Sequence, residues 1–237
     1  SAPSLNADPR NVRTTRHAAE VDRGPIIVEK TAIASSELEE DSNRYTRVYD
    51  EGPLYVSATG YFSAIGYGAT GIEEAEADVL DGQSQTLLGQ RLRNLLTGEK
   101  RQGGGVELTL SASMQQAAAT ALGDRKGAVV ALDAKTGAIL ALYSSPTFDP
   151  NTLASSDGGS VSDAYAALEA DPRKPMLNRA ISERYAPGST FKVLTAIALI
   201  ENGIANPDTR MDSPVSTTLP GTNTEVRENS ALSCPGI

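Results

Sequence analysis

The sequence predicts an α+β fold. Strand-like segments come before helical ones, and one long run, Phe191 to Ile200, is apolar on nearly every side, as a buried helix is. Short apolar stretches punctuated by glycine and proline fill the early part of the chain, and helical spacing follows.

The elements follow in order. Residues 1–52 read as extended and polar, with Arg23-Gly24-Pro25 leading into the apolar triplet Ile26-Ile27-Val28. From Tyr45 to Tyr67, aromatics, valine and threonine alternate with turn formers, which predicts strands and turns. Residues 71–98 predict a helix: acidic residues open it, Leu87, Leu88, Leu92, Leu95 and Leu96 recur at helical spacing, and Gly98 closes it. Gly103-Gly104-Gly105 then breaks the pattern. Three glycines lose much backbone entropy on ordering, so a flexible joint is expected there, dividing domains 1–104 and 105–237.

Beyond the joint, Val106 to Leu110 reads as a strand and Ala112 to Leu122 as an alanine-rich helix. Gly127 to Leu132 and Ala138 to Tyr143 are apolar runs joined by Asp133-Ala134-Lys135-Thr136-Gly137, a hairpin signature. A polar loop runs through Ser155 to Ser160, and residues 161–170 predict a short helix. After Pro187-Gly188 comes the apolar run, ended by Asn202-Gly203. Residues 204–237 give no element.

Composition excludes several functions. The 237 residues carry a net charge of −9, which argues against a nucleic-acid partner. One cysteine, Cys234, and one histidine, His17, exclude a Cys/His zinc site and a disulfide framework within this chain, and no cofactor is implied. They also leave little for a histidine-based triad, since His17 lies in a polar leading arm. No window is apolar enough for a membrane helix.

One pair of residues suggests nucleophilic catalysis. Ser189 and Lys192 are three apart and share a helical face. A neutral lysine can take the hydroxyl proton, and an apolar surround of Val193, Leu194, Ala196 and Ile197 would favour the neutral form. At a helix start, the free N–H groups and the dipole would favour an oxyanion. The spacing alone is weak: with 22 serines and six lysines, about 0.6 such pairs arise by chance. On spacing alone, a helix-capping serine with a lysine on the same face is the better reading.

Context changes the weight. Asn11-Val12-Arg13, Arg23-Gly24-Pro25-Ile26, Arg47-Val48-Tyr49, Gly60-Tyr61, Gly68-Ala69-Thr70-Gly71-Ile72-Glu73 and Leu80-Asp81-Gly82 come first. Leu108-Thr109-Leu110, Gln115-Gln116, Lys126 through Asp133, and Ser145 through Asn151 follow. Then come Asn178-Arg179-Ala180 and Tyr185-Ala186-Pro187-Gly188-Ser189-Thr190-Phe191-Lys192. Read in this order, the chain resembles a class B penicillin-binding protein of the actinobacterial A type along nearly its whole length.

The resemblance implies an elongated β-rich pedestal, then the first part of a transpeptidase domain with an antiparallel sheet between helical layers. It implies a peptidoglycan D,D-transpeptidase with Ser189 as nucleophile and Lys192 as general base. Peptidoglycan stem peptides would be substrates and β-lactams covalent inhibitors. The site would face outward from the bacterial cell membrane, held by an N-terminal anchor absent from this chain, with division or elongation proteins as possible partners. Other readings are a non-catalytic β-lactam sensor or scaffold, or a β-lactamase, which would not need residues 1–104.

Three departures stand out. The family's Ser-x-Asn and catalytic Lys-Thr-Gly should follow the nucleophile, yet neither occurs after Ser189, so truncation is expected. Ser4-Leu5-Asn6 lies in the leading arm, and Lys135-Thr136-Gly137 precedes Ser189 and reads as a hairpin turn. Glu29-Lys30-Thr31 stands where the family often has a glycine-containing turn.

Overall fold

A computed structural model describes residues 19–40, 42–84, 102–210, 214 and 216–227. They form two compact units that divide between Glu183 and Arg184.

The first unit begins with a meander of β1 (Ile26–Val28), β2 (Thr31–Leu38) and β3 (Tyr45–Tyr49). Val28 pairs with Thr31, so Glu29-Lys30 alone makes the β1–β2 turn. Both turn residues have positive φ, 48° and 71°. A twisted two-residue hairpin needs that backbone, usually supplied by Asn-Gly. The family's glycine is absent, but the geometry it would allow is present.

The next segment differs from the strand expectation. Gly52–Thr59 is a helix, α1, with Pro53 in its first turn, where a missing N–H removes no helical bond. Its β-forming residues, Tyr55, Val56 and Thr59, are buried, and tertiary packing overrides their propensity. A small ribbon of β4 (Phe62–Ser63) and β5 (Gly68–Ala69) follows. The predicted helix over 71–98 begins as two short helices, α2 (Gly71–Ala75) and α3 (Ala77–Leu80), broken at Glu76. Its remainder, with Leu87 to Gly98, lies outside the described residues, as do His17 and Cys234.

The separated motifs of this region meet in one buried ionic cluster. Glu73 is fully buried and accepts from Arg23 Nε and Arg47 Nε, both at 2.7 Å, and from the Tyr49 hydroxyl at 3.1 Å. Arg23 also pairs with Asp81 and lies 4.3 Å from the Phe62 ring centroid. Arg47 Nη1 donates to the Gly24 carbonyl at 2.8 Å.

The glycine triplet is not a loose joint. Gly103 N donates to Asp22 O and Gly104 N to Val79 O, while Gly24 N donates to Leu80 O. A Cβ on Gly103 would stand 1.7 Å from Leu80 O. These glycines serve close backbone approach, and the triplet leads directly into β6 (Val106–Leu108). That strand pairs in parallel with β1, giving the sheet order β3-β2-β1-β6.

Next come α4 (Ala112–Leu122) and the antiparallel hairpin of β7 (Gly127–Leu132) and β8 (Ile139–Ser145). Asp133 Oδ1 accepts from the amides of Lys135 and Thr136 at 2.9 and 2.8 Å, and Gly137 has φ 76°. The predicted turn is thus present. After α5 (Asn151–Ala154), α6 (Gly158–Ala170) starts three residues earlier than expected, because Asp157 caps it by accepting from Gly159 N. The short helix α7 (Arg179–Ser182) ends the unit.

In the second unit, a 3-10 turn over Gly188–Thr190 runs into α8 (Phe191–Glu201). A ribbon of β9 (Ser216–Thr218) and β10 (Glu225–Arg227) follows, where the sequence offered no assignment.

Candidate active site

Ser189 is the middle residue of the 3-10 turn, and Lys192 is the second residue of α8. Gly188 enters the turn with φ 54°, a left-handed backbone that side-chain-bearing residues rarely adopt. Thr190 N closes the turn on Pro187 O at 3.2 Å. Pro187-Gly188 therefore sets the backbone that presents Ser189 at a helical start, with Lys192 less than one turn further on.

The apolar surround does not match the expectation. Ser189, Lys192 and every residue of α8 except Leu199 are exposed, and none is buried; Val193 and Leu194 show 60% and 57% of their surface. The described part of this unit holds little more than one helix and a two-stranded ribbon, too little chain to bury a helix on all sides. Ser189 and Lys192 stand three residues apart at the helix start, but the described residues do not assemble the apolar jacket around them.

The segment before the nucleophile is firmly held within the first unit. Arg179 is buried, and its guanidinium donates to the carbonyls of Arg173 (2.6 Å), Lys174 (3.1 Å) and Leu177 (3.4 Å). Its amide donates to Ser144 Oγ at 3.0 Å, and that hydroxyl donates to Leu177 O. Asn178 Nδ2 reaches Ser57 O of α1 at 2.6 Å, and Ser57 Oγ accepts from Ser144 N at 2.9 Å. The sequence marked Asn178-Arg179 as a motif but not as a clamp joining α1, β8 and α7. The long charged side chain in an otherwise turn-forming stretch was its available signal.

Lys135 belongs to an exposed turn whose bonds are local, while Ser4-Leu5-Asn6 lies outside the described residues. Among the described residues, no three histidine, cysteine or acidic side chains are grouped to hold a metal ion, and no helix is long and apolar enough to cross a membrane.

Residues 23–106 match the family model described as "Penicillin binding protein A dimerisation domain", and residues 127–231 match "Penicillin binding protein transpeptidase domain". The chain belongs to the penicillin-binding protein family. It is 41% identical, over all of its length and 49% of the relative's, to "Peptidoglycan D,D-transpeptidase PbpA" of Mycolicibacterium smegmatis. The protein of the same name from Mycobacterium tuberculosis is 38% identical over 99% of this chain and 48% of its own. The chain thus spans about half the length of these relatives. Among solved structures, an imipenem acyl-enzyme complex of penicillin-binding protein A from M. tuberculosis superposes with a TM-score of 0.83 at 36% identity. That match covers 92% of this chain and 52% of the other. The mixed α+β class expected from the sequence is the class observed, shared with these neighbours.

Proposed function

We propose that this chain is the serine-bearing part of a peptidoglycan D,D-transpeptidase, with residues 1–104 as pedestal and 105–237 as the first portion of the transpeptidase domain. The observation that carries the reading is Ser189 at a helical start with Lys192 three residues on, inside the segment that the transpeptidase family model matches. In this reading Lys192 Nζ takes the Ser189 proton as Oγ attacks the carbonyl of the penultimate D-alanine of a stem peptide. The tetrahedral oxyanion is held partly by helix-start amides. Collapse releases D-alanine and leaves an acyl-serine. An amine of a neighbouring stem then attacks the ester and frees Ser189. β-Lactams would acylate the same oxygen. The relatives' names support this reading, as does the acyl-enzyme state of the structural neighbours.

The reading includes a site on the outer face of the bacterial membrane, an N-terminal anchor, and a role in cell-wall synthesis during division. A β-lactam sensor with the same fold would acylate without turning over, so D-alanine release measured beside fluorescent-penicillin labelling separates the two. Ser189→Ala should abolish labelling. Lys192→Arg should fail as badly as Lys192→Ala, because a guanidinium keeps its charge at any working pH. These rates are to be measured in the complete protein, and labelling of Lys192→Arg near the wild-type rate would refute the general-base role.

A further inference from the structure

The step from Leu177 into α7 carries polar bonding that is not optimised for stability. Arg179 gathers the carbonyls of Arg173, Lys174 and Leu177, and Asn178 Nδ2 donates to Ser57 O at 2.6 Å. Lys174, one of the gathered residues, holds a left-handed backbone at φ 53°, which is unfavourable for a residue with a side chain. Both side chains also leave a buried atom without a hydrogen bond among the described residues. These are Asn178 Oδ1 and Arg179 Nε, the latter only near Glu183 Oε2, at 3.4 Å. An orphaned buried polar atom is destabilising, and an apolar side chain would avoid that loss. Two such atoms in adjacent residues mark a position kept for function rather than for stability.

The clamp controls the point at which the chain leaves the first unit. That unit ends at Glu183, one residue beyond α7, whose first amide donates to Ser144 Oγ of β8 at 3.0 Å. Six residues, Arg184 to Ser189, then lead to the nucleophile. Pro187 fixes its own φ and the 3-10 turn holds Gly188 and Ser189, so Arg184, Tyr185 and Ala186 supply the remaining torsions. A nucleophile displaced by about 1 Å loses about a hundredfold in rate.

We propose that Asn178 and Arg179 are positioning residues for acylation: by holding α7 to α1 and β8, they fix the origin of the short segment that carries Ser189. This role rests on the transpeptidase reading of Ser189. Neither residue takes a proton or forms a bond in the reaction. They act on placement, so their loss lowers the rate of the covalent step more than the affinity of the noncovalent complex before it.

The test is stopped-flow acylation of the complete protein by a fluorescent penicillin, with covalent rate and noncovalent affinity resolved by varying its concentration. Asn178→Ala and Arg179→Lys are compared with Asn151→Ala, which removes an amide that makes two bonds to Tyr49 and has no place in this segment. Asn178→Ala and Arg179→Lys should each lower the covalent rate at least about tenfold, with affinity within about threefold and the shape of the pH–rate profile unchanged. Asn151→Ala should lower the melting midpoint at least as much as Asn178→Ala while leaving the covalent rate within about twofold. Circular dichroism at the assay temperature shows which variants are folded. Asn178→Ala deletes one bond and one orphaned atom, so it decides the case if Arg179→Lys does not fold. A covalent rate within about twofold of wild type in folded Asn178→Ala, or an equal loss in Asn151→Ala, overturns the proposal. A wild-type protein that is not labelled at Ser189 overturns the transpeptidase reading and this role with it.

Discussion

Glu73→Gln is the most informative perturbation of the pedestal. The substitution keeps the side-chain shape and removes one charge from a site with no solvent exposure. In the native cluster, Arg23 and Arg47 face Glu73 and Asp81, so two buried cations meet two anions. With glutamine, Arg47 loses its carboxylate partner, and an amide NH₂ confronts guanidinium or phenol donors now satisfied at 2.7 to 3.1 Å. Breaking a buried pair from one side costs about 3–5 kcal/mol, because the remaining charge has no compensation. For a chain of this size that lowers the melting midpoint by about 10 °C. Urea denaturation followed by circular dichroism reads it as a lower midpoint at unchanged slope. A loss below about 1 kcal/mol would refute the view that this cluster holds the pedestal together. Asp81→Asn is the built-in contrast. Burial raises the Asp81 carboxyl above its ordinary value, although Arg23 opposes the shift. A carboxyl that holds its proton more tightly when folded contributes stability below the unfolded pKa, and loses it as pH rises through the folded one. After Asp81→Asn, Arg23 still pairs with buried Glu73, and Asp81 is the more exposed of the two carboxylates, so this substitution should cost less than Glu73→Gln at neutral pH.

Other predictions test separate features. Lys135→Ala in the complete protein should leave β-lactam acylation within a few-fold, since the turn is fixed by Asp133 Oδ1 and backbone amides; a hundredfold loss would make Lys135 catalytic. Gly103→Ala should destabilise by about 3 kcal/mol or more, because the new Cβ meets the Leu80 carbonyl, and protease should spare the 103–105 bond region in the native protein. Glu29→Asn with Lys30→Gly should raise stability by about 1 kcal/mol, as both positions carry left-handed backbone; a lower denaturation midpoint would count against that turn.

What the sequence disclosed follows the range of the forces involved. Local signals located β1, α4, the β7–β8 hairpin and the helix after Ser189, because periodicity and turn chemistry act over a few residues. Gly52–Thr59 defeated the same logic: its valine, tyrosine and threonine favour strand, and packing against α2, β8 and α4 outweighs that preference. The glycine triplet failed for a related reason. A run of glycines looks like freedom in sequence, but Leu80 and Asp22, about 20 and 80 positions away, convert it into close contact. For the candidate site, the serine, the lysine and their spacing were legible. The burial around them was not, because an apolar helix states that it needs a cover without stating which residues supply it.

Three neutral amides explain why several motif residues have no part in the proposed chemistry. Asn151 accepts from Tyr49 N and donates to Tyr49 O, both at 2.9 Å, and so satisfies both backbone groups of a β3 residue. Buried Gln115 donates to Leu54 O and Leu142 O and accepts from Leu142 N, tying α4 to α1 and β8. Asn178 adds the bond to Ser57 of α1. A carboxamide can donate and accept at once, and it carries no charge to desolvate. A carboxylate would lack the donor and a lysine the acceptor, and either would bring a buried charge. Where irregular backbone from residues 49–57 meets the later hairpin, Asn151 and Gln115 each donate and accept, while Asn178 donates to Ser57 and its Oδ1 is buried without a partner. They hold residues 49–57 against the later hairpin and helices, and none of them enters the chemistry proposed for Ser189 and Lys192.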